Sequence, residues 1–321
     1  MSYTQITHEE RAQISALRQA GLCNSEIARL VNRHKTTIAR EFARNSCNDG
    51  HYRIFKARHR TRGRRRRSRR NRRFSAAEFK PVVDLLRERW SPEQISVILS
   101  YYGILSISHE TIYKYIRLDR RNGGTLYKDL RQAGKQRRKR FWTSDSRGRL
   151  PGKRHISERP LSAENRSRFG HLEIDTVVGK GSKHCIVTMV DRKGRNVAIG
   201  KLKNRTVKEL NRRVIQMIHT LRSKGIKVIT ITADNGTEFH GYRRIEKATG
   251  VKFYFARPYH SWERGTSENT NGLIRQYLPK GMDMVNVTQR HCSWIANKLN
   301  NRPRKILGFL TPEEYYGWSS Y

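Results

Sequence analysis

The chain is poor in acidic residues, cysteine and proline, and it lacks long apolar runs. Its 321 residues include 27 aspartates and glutamates, four cysteines and eight prolines. No stretch approaches the roughly 20 apolar residues of a membrane-spanning helix, and the N-terminus does not have a signal-peptide pattern. The cysteines, which lack metal-ligand spacing, are interpreted as free thiols in a reducing compartment: Cys23, Cys47, Cys185 and Cys292. The sequence therefore argues against a membrane-spanning protein and against a disulfide-stapled secreted domain.

Positive charge is what the chain has in excess. Lysine and arginine number 68, which gives a net charge of +41. An enzyme of small neutral metabolites has no use for such a charge, whereas a nucleic acid would neutralise it. A membrane surface is the alternative, but it would call for a basic amphipathic helix or a lipidation signal, and we find neither. We expect a nucleic-acid partner and a cytoplasmic, nucleoid-associated protein of a prokaryote.

Residues 1–45 have the pattern of three short helices. The third is predicted over 34–44, with Ile38 and Phe42 facing inward. A short helix, a tight turn and a second helix with a basic and polar outer face are typical of a helix-turn-helix. The candidate DNA contacts on that outer face are Lys35, Thr36, Thr37, Arg40 and Arg44. The alternative is a polar helix face that only meets solvent.

Residues 46–73 form a segment dominated by arginine, with ten arginines among the fifteen residues from His59 to Arg73. Like charges repel and little here can be buried, so we predict a flexible arm that becomes ordered on DNA phosphates. The candidate contacts in this arm are Arg64, Arg65, Arg66 and Arg67. A nuclear localisation signal is the alternative interpretation.

Residues 74–121 repeat the plan of the first segment, with serines at the predicted helix starts: Ser75, Ser91 and Ser108. We predict a second helix-turn-helix here. Its candidate DNA contacts are Ser108, His109, Thr111, Lys114 and Arg117. Residues 122–164 are predicted to be a basic linker, in which Arg137–Arg140 would add phosphate contacts.

Residues 165–321 change to an alternation of apolar strands and amphipathic helices. Strands are predicted over 171–178, 184–191, 196–202, 226–233 and 251–255, and helices over 206–223, 240–248, 264–278 and 288–300. Three antiparallel strands followed by helix, strand, helix, strand and helix is the ribonuclease H-like order. The predicted fold class is therefore an α/β domain with a mixed five-stranded sheet, preceded by all-α tandem helix-turn-helix modules.

Three carboxylates occupy informative places in that domain. Asp175 and Asp234 end apolar strand patterns, and Glu268 lies near the start of a predicted helix. The first and fourth strands are expected to be neighbours, which would bring the two aspartates together. Hard oxygen donors of this kind bind two Mg²⁺ ions, or Mn²⁺ as a substitute, roughly 3.5–4 Å apart in phosphoryl-transfer sites. Each acid taken singly is typical of a turn, a helix cap or a solvated helix surface.

Further candidates surround these acids. Arg275 lies two turns beyond Glu268 and is suited to hold a phosphate, while Gly272 on the same face would let DNA approach closely. The other candidate supporting residues are Asn235, Asn271 and Lys280, and Glu173 is a possible neighbour of Asp175. The histidines lack zinc spacing, and the tryptophans and tyrosines of this part are interpreted as core residues.

Several of these segments resemble one family. The segments His171–Gly179, Thr232–Phe239 and Arg264–Gly281, together with the tail segments Leu299–Lys305 and Thr311–Tyr315, are similar to the DDE transposases of the insertion-sequence 30 family. That family belongs to the ribonuclease H-like and retroviral integrase superfamily. Thirty-three residues separate Asp234 from Glu268, in keeping with the short second spacing of the family.

The resemblance covers nearly the whole chain and implies a metal-dependent transposase. It would bind the terminal inverted repeats of its element as double-stranded DNA, cleave 3′ ends with water, and join them to target DNA. Asp175, Asp234 and Glu268 match the catalytic triad, and Arg275 matches the basic residue after the glutamate. A homodimer or larger assembly is expected, because two ends are joined. The alternatives are a DNA-binding regulator with an inactive domain and a nuclease without strand transfer.

Overall fold

The computed structural model describes residues 5–68, 74–131, 152–258 and 260–318. The chain divides into two compact units, Met1–Ser75 and Ala76–Tyr321. We call residues 5–68 the first helical unit. Its helices are α1 (His8–Gln19), α2 (Asn24–Leu30), α3 (Lys35–Asn45) and α4 (Ile54–Ser68). In the part of the chain that the structure covers, no helix is both long and apolar enough to cross a membrane.

The first helical unit is built around isoleucines at helical spacing. Ile14, Ile27 and Ile38 come from successive helices and are fully buried together. Thr7 caps α1 in a capping box with Glu10, which satisfies backbone N–H groups that the helix itself leaves free. The predicted helix-turn-helix is thus present, with Cys23 at the N-cap position of α2.

The arginine-rich segment is where the prediction of a flexible arm is wrong, because Ile54–Ser68 is helical. The start of α4 is held in the core by the buried side chains of Tyr52 and Ala57. Farther along, Arg64 donates to the carbonyl of Arg44 at 3.0 Å, and Arg60 donates to the carbonyl of Ser46. These carbonyls lie at the C-terminal end of α3, which carries partial negative charge. They accept hydrogen bonds from the arginines of α4, and this offsets the repulsion between the arginines.

The second unit begins with three helices, which we call the second helical module: α5 (Ala76–Arg87), α6 (Pro92–Tyr101) and α7 (His109–Arg121). Ser91 caps α6 together with Gln94, and Ser108 caps α7, as the sequence predicts. The apolar faces of the three helices supply a core that includes Leu86, Ile95 and Ile112.

A five-stranded sheet dominates the rest of the second unit. Its strands are β1 (His171–Val178), β2 (Cys185–Asp191), β3 (Val197–Leu202), β4 (Thr230–Ala233) and β5 (Lys252–Phe255). The order is β3-β2-β1-β4-β5, with antiparallel pairing among the first three strands and parallel pairing of β4 with β1 and β5. The predicted mixed ribonuclease H-like sheet is confirmed, although β4 is four residues long and not the predicted eight.

Helices cover both faces of this sheet, and together they make up the α/β domain. They are α8 (Leu161–Glu164), α9 (Val207–Ser223), α10 (Tyr242–Thr249), α11 (Gly265–Ile274), α12 (Gln289–Asn300) and α13 (Pro312–Trp318). α9 and α10 pack on one face, where Leu172 and Ile174 point, and α11 and α12 pack on the other, where Val177 and Ile186 point. α11 ends at Ile274, four residues earlier than predicted, so that Arg275 is its C-cap.

Candidate active site

Asp175 and Asp234 lie close together on two neighbouring parallel strands, although Asp175 is the fifth residue of β1 and not, as the sequence pattern predicts, its end. Asp234 directly follows β4. β1 and β4 pair with His171 opposite Thr230 and Glu173 opposite Thr232, and this register carried forward sets Asp175 against Asp234. The guanidinium of Arg264 lies between the two carboxylates. One nitrogen donates to Asp234 Oδ2 at 3.2 Å, and the other is 3.6 Å from Asp175 Oδ1. Both carboxylates thus share one positive group.

Neutral donors fix the orientation of the Asp175 carboxylate. Its Oδ2 accepts a hydrogen bond of 2.7 Å from the side-chain amide of Asn271, and its Oδ1 accepts one from the backbone N–H of Thr176 at 2.9 Å. The hydroxyl of Thr188, on β2, donates to the Asn271 amide oxygen at 3.2 Å. The predicted supporting residue Asn271 therefore contacts a predicted catalytic acid directly.

The environment of Asp175 favours a nearby cation. Burial raises the pKa of this carboxyl, and the charge of Asp234 raises it further, while Arg264 and the Thr176 N–H act in the opposite direction. A carboxylate held in partly buried surroundings beside a second carboxylate is costly unless positive charge compensates both.

Glu268 lies in the first turn of α11 and is exposed. Arg264 precedes it by four residues and Asn271 follows by three, so the three side chains lie along one side of the chain entering and forming α11. Arg264 and Asn271 both contact Asp175. Among the residues that the structure describes, however, no three acidic, histidine or cysteine side chains are close enough to hold a metal ion. The guanidinium of Arg264, not a third carboxylate, fills the space between the aspartates.

Glu173 anchors the start of α11 to the sheet. Its buried carboxylate accepts a hydrogen bond of 2.7 Å from the backbone N–H of Ser267 and pairs with Arg192 at 2.5 Å. An acid at the first turn of a helix compensates unpaired N–H groups there. The helix that carries Glu268 and Asn271 is therefore tied to β1 two residues before Asp175.

Two further residues of the site, Arg264 and Glu238, have no role in the sequence-based prediction of the site. The position of Arg264, one turn before Glu268, is the signal in the sequence that could identify it. Glu238 is buried near Asp234: its Oε1 accepts from the Thr176 hydroxyl at 2.7 Å and from Arg205 at 2.8 Å. A side chain on Gly236 would collide with this carboxylate and with Asp234, so the bare backbone there allows the two acids to approach.

The remaining predicted supporting residues are placed differently from one another. Arg275 donates to the carbonyls of Val178 at 3.0 Å and Leu278 at 3.4 Å, and burial lowers its pKa. Asn235 donates to the carbonyl of Ala256 at 2.7 Å, which gives it a structural contact. Lys280 is exposed in the loop that follows.

Gly272 does not leave an open approach for DNA, so that prediction is wrong. A side chain there would meet the guanidinium of Arg131 at 2.7 Å. Arg131 also donates to the carbonyl of Asn269 at 3.1 Å. The missing side chain of Gly272 makes room for an arginine of the same chain.

The predicted DNA contacts of the first helical unit converge on one cleft of about 590 Å³. The predicted contacts that line it are Thr37, Arg40, Arg44, Arg64 and Arg65. Lys35 and Thr36, at the start of α3, are exposed. The side chains of Arg66 and Arg67 and the whole of Arg137–Arg140 lie outside the described residues.

The second helical module presents a similar polar face on α7. Ser108, His109, Lys114 and Arg117 are exposed there, and Thr111 is half-buried. The interpretation of C-terminal tryptophans as core residues is wrong for Trp262, which is 69% exposed in the turn leading to Arg264. His171 is buried between the hydroxyls of Thr230 and Ser162, which is a structural role.

Two known families match separate parts of the chain. Residues 2–45 match the family described as "Helix-turn-helix domain", and residues 165–261 match "Integrase core domain", a stretch that includes both aspartates and ends before Glu268. A solved structure, the catalytic core domain of BIV integrase, has 20% identity and a TM-score of 0.38 over 47% of this chain and 95% of that one.

Similar proteins extend over nearly the full length. The transposase for insertion sequence element IS4351 of Bacteroides fragilis is 42% identical over 97% of this chain and 95% of that protein. Transposase InsI for insertion sequence element IS30A of Escherichia coli K12 is 36% identical over 96% of this chain and 82% of that protein. With a helix-turn-helix, an integrase core and these relatives, the chain belongs to the insertion-sequence 30 family of DNA transposases.

Proposed function

We propose that Asp175, Asp234 and Glu268 hold the divalent metal ions, Mg²⁺ by preference, with which this transposase cuts and joins DNA. The observation that carries the proposal is the pair of adjacent carboxylates sharing the guanidinium of Arg264. A site that already requires positive charge and offers hard oxygen donors fits Mg²⁺ or Mn²⁺. Glu268, exposed one turn after Arg264, is the third donor.

When bound, two such ions would activate the attacking oxygen and stabilise the leaving one. The protein's own groups act around that chemistry. Asn271 keeps one oxygen of Asp175 turned away from Arg264, and the Thr176 N–H restrains the other. Glu173 fixes the position of the N-terminus of α11 relative to β1, and therefore the position of Glu268 relative to the aspartates. With the charge of the aspartates compensated by bound cations, Arg264 would be able to pair with a DNA phosphate.

The substrate we propose is the pair of terminal inverted repeats of the element. The exposed faces of α3 and α7 would read bases, and the arginines of the cleft beside α3 would hold phosphates. Water would cleave the 3′ end, and the new 3′-hydroxyl would attack target DNA. A homodimer or larger complex would bring two ends together, and light scattering of the protein with end DNA measures that stoichiometry.

The test of the catalytic set uses Asp234→Asn and Glu268→Gln beside a matched control, Glu263→Gln. Glu263 lies five residues before Glu268 and pairs with Arg257 at 3.6 Å, so the control makes the same chemical change next to the site. Cleavage and joining of labelled end DNA are measured in Mg²⁺, in Mn²⁺ and in EDTA. We expect both site variants to lose at least about a thousandfold in rate, as when transition-state charge loses its stabilisation, while the control stays active.

End binding, measured in parallel, separates the outcomes. Site variants that bind end DNA normally but do not cut support the proposal. Products formed in EDTA, or a Glu268→Gln variant as active as the control, would contradict it. Cleavage without joined product in the wild type would instead favour a nuclease, and specific binding without either would favour a regulator.

A further inference from the structure

Arg302 is a buried arginine at the contact between the second helical module and the α/β domain. It is 2% exposed. Its guanidinium donates to the side-chain oxygen of Gln276 and the hydroxyl of Tyr277, each at 2.9 Å, and to the backbone carbonyl of Glu88 at 3.4 Å. Glu88 belongs to the turn between α5 and α6, whereas Gln276 and Tyr277 follow α11. One side chain thus joins the two parts.

Polar contacts surround this buried centre. Gln94 of α6 donates to the carbonyl of Pro303 at 2.5 Å, and Glu93 pairs with Lys305 at 2.5 Å. The guanidinium of Arg89 stacks over the ring of Tyr277, 4.4 Å from its centre. The contact therefore consists of a buried guanidinium surrounded by further polar contacts.

The segment that follows the module contacts α11 and the residues directly after it. The Gln276 side chain donates to the carbonyl of Asp129 at 3.2 Å, and Arg131 donates to the carbonyl of Asn269 beside Gly272. The module is thus held at the turn between α5 and α6 and, through residues 129–131, on the far side of α7. Each of these two places of contact includes Gln276, which follows α11, and α11 carries Glu268.

The presence of an arginine at this buried position indicates that the residue orients the two parts of the chain more than it stabilises the fold. All the acceptors of Arg302 are neutral oxygens, and within the described part of the chain its buried Nε has no hydrogen-bond partner. Burial lowers the pKa of this guanidinium, and the neighbouring Arg89 and Arg131 lower it further. An apolar side chain would fill the space at a smaller desolvation cost, but it would not fix three acceptors from two parts of the chain.

We propose that Arg302 is a positioning residue that holds the second helical module against the segment directly after α11, so that DNA bound by α7 presents one particular phosphodiester to the catalytic acids. The fixed distance between α7 and the catalytic acids would then determine the position of the cut. This inference rests on the proposed site at Asp175, Asp234 and Glu268. It concerns where the DNA is cut, not how the bond is broken.

The experiment compares Arg302→Met and Tyr277→Phe with Arg304→Met in the full-length chain. Tyr277→Phe removes one acceptor of Arg302 and keeps the aromatic ring. It therefore serves as the second variant if Arg302→Met does not fold stably. Arg304 is the matched control, since its guanidinium donates to the Leu299 carbonyl at 2.8 Å within its own segment. Cut positions on end-labelled DNA are mapped at single-nucleotide resolution, with end binding measured separately.

We expect Arg302→Met to bind end DNA nearly as well as the wild type, to cut about tenfold more slowly, and to spread its cuts over neighbouring phosphates, since the lost hydrogen bonds loosen the module. Tyr277→Phe should spread the cuts to a smaller extent. The same single cut in Arg302→Met as in Arg304→Met would overturn the inference. A wild type that makes no cut at all would refute the proposed function instead.

Discussion

The first helical unit and the second helical module follow the same plan and differ in what surrounds them. In each, a polar side chain caps the third helix, His34 before α3 and Ser108 before α7, and a polar face is left exposed. In the first unit, α4 then brings arginines against the end of α3. In the second, α6 and the turn before it pack on the α/β domain. The helix-turn-helix thus carries positive charge in the first unit, whereas in the second unit it packs against the α/β domain.

Buried arginines express the same difference. Arg11 of the first unit pairs with the carboxylate of Glu41 through two nitrogens, at 2.7 and 3.2 Å, and Tyr52 donates to the same carboxylate at 2.8 Å. All three residues belong to the first unit. Arg302, by contrast, forms two of its hydrogen bonds within the α/β domain and the third with the carbonyl of Glu88 in the turn between α5 and α6. The first unit can close its own core, whereas the second module depends on the domain behind it.

The largest expected effect is the loss of stability when a buried isoleucine is truncated in the core of the first unit or of the second module. Ile38 and Ile112 are both fully buried, so Ile38→Ala and Ile112→Ala should each cost about 2–5 kcal/mol. Because the chain forms two compact units, Ile38→Ala should lower only the melting transition of the first unit. Ile112→Ala should lower the transition of the α/β domain as well. Differential scanning calorimetry of the full-length protein measures both.

The wild type provides the reference for these transitions, and residual cleavage of DNA ends provides a second readout. If Ile112→Ala melted the second module separately and left the α/β transition unchanged, the module would be independent and the contrast between the two would fail.

The next effect concerns base reading by the two exposed faces. Arg40→Gln on α3 and Arg117→Gln on α7 should each weaken binding to the element's end by about 1–3 kcal/mol, the usual cost of a lost base contact. The two variants should differ in where the DNA is cut. Arg117→Gln should also alter the cut position, because the module that contains α7 is held against the α/β domain. Competition binding against scrambled DNA, with the cuts mapped in parallel, measures this.

Equal loss on specific and scrambled DNA would make either arginine a phosphate contact. A changed cut position in Arg40→Gln but not in Arg117→Gln would reverse the roles assigned to the two helices.

The sequence was sufficient for features that depend on periodicity and short-range order. The order of strands and helices predicts that the first and fourth strands are neighbours, and the parallel pairing of β1 with β4 confirms it. The prediction that Asp175 ends its strand is wrong, since three residues of β1 follow it. The serines at the predicted helix starts, Ser91 and Ser108, cap α6 and α7. Such features are local, so one stretch of residues determines them.

Features that depend on a distant partner were missed. Arg264 contacts aspartates that lie 30 and 89 residues earlier, and the partner of Gly272 is Arg131 in a segment interpreted as linker. The arginine-rich segment was judged by its own charge alone. Its acceptors are the carbonyls at the end of α3, which only the folded unit brings within reach.

A smaller effect should appear on acidification, and it should be confined to the larger unit. Burial lowers the pKa of His171 to about 4, with nearby arginines adding to the effect. The unfolded chain takes up a proton near pH 6.5, but the folded one stays neutral down to about pH 4. Between these values the free energy of unfolding should fall with decreasing pH, by at most about 1.4 kcal/mol per pH unit. His171→Gln, which cannot be protonated, should flatten this slope in urea unfolding curves of the second unit, and parallel slopes in the two proteins would contradict the prediction.

The smallest effect tests whether both exposed faces touch phosphates. Each phosphate contact contributes about −0.9 to the slope of log K against log salt. Arg44→Gln in the first unit and Lys114→Gln in the second module should therefore each make that slope shallower by about 1. Lys224→Gln is the control, because Lys224 is an exposed lysine at the end of α9. If the control changed the slope equally, the charge of the chain would act as a diffuse field, and neither module could be credited with a defined path along the DNA. An effect of Arg44→Gln alone would leave phosphate binding to the first unit, with the second module serving to set position.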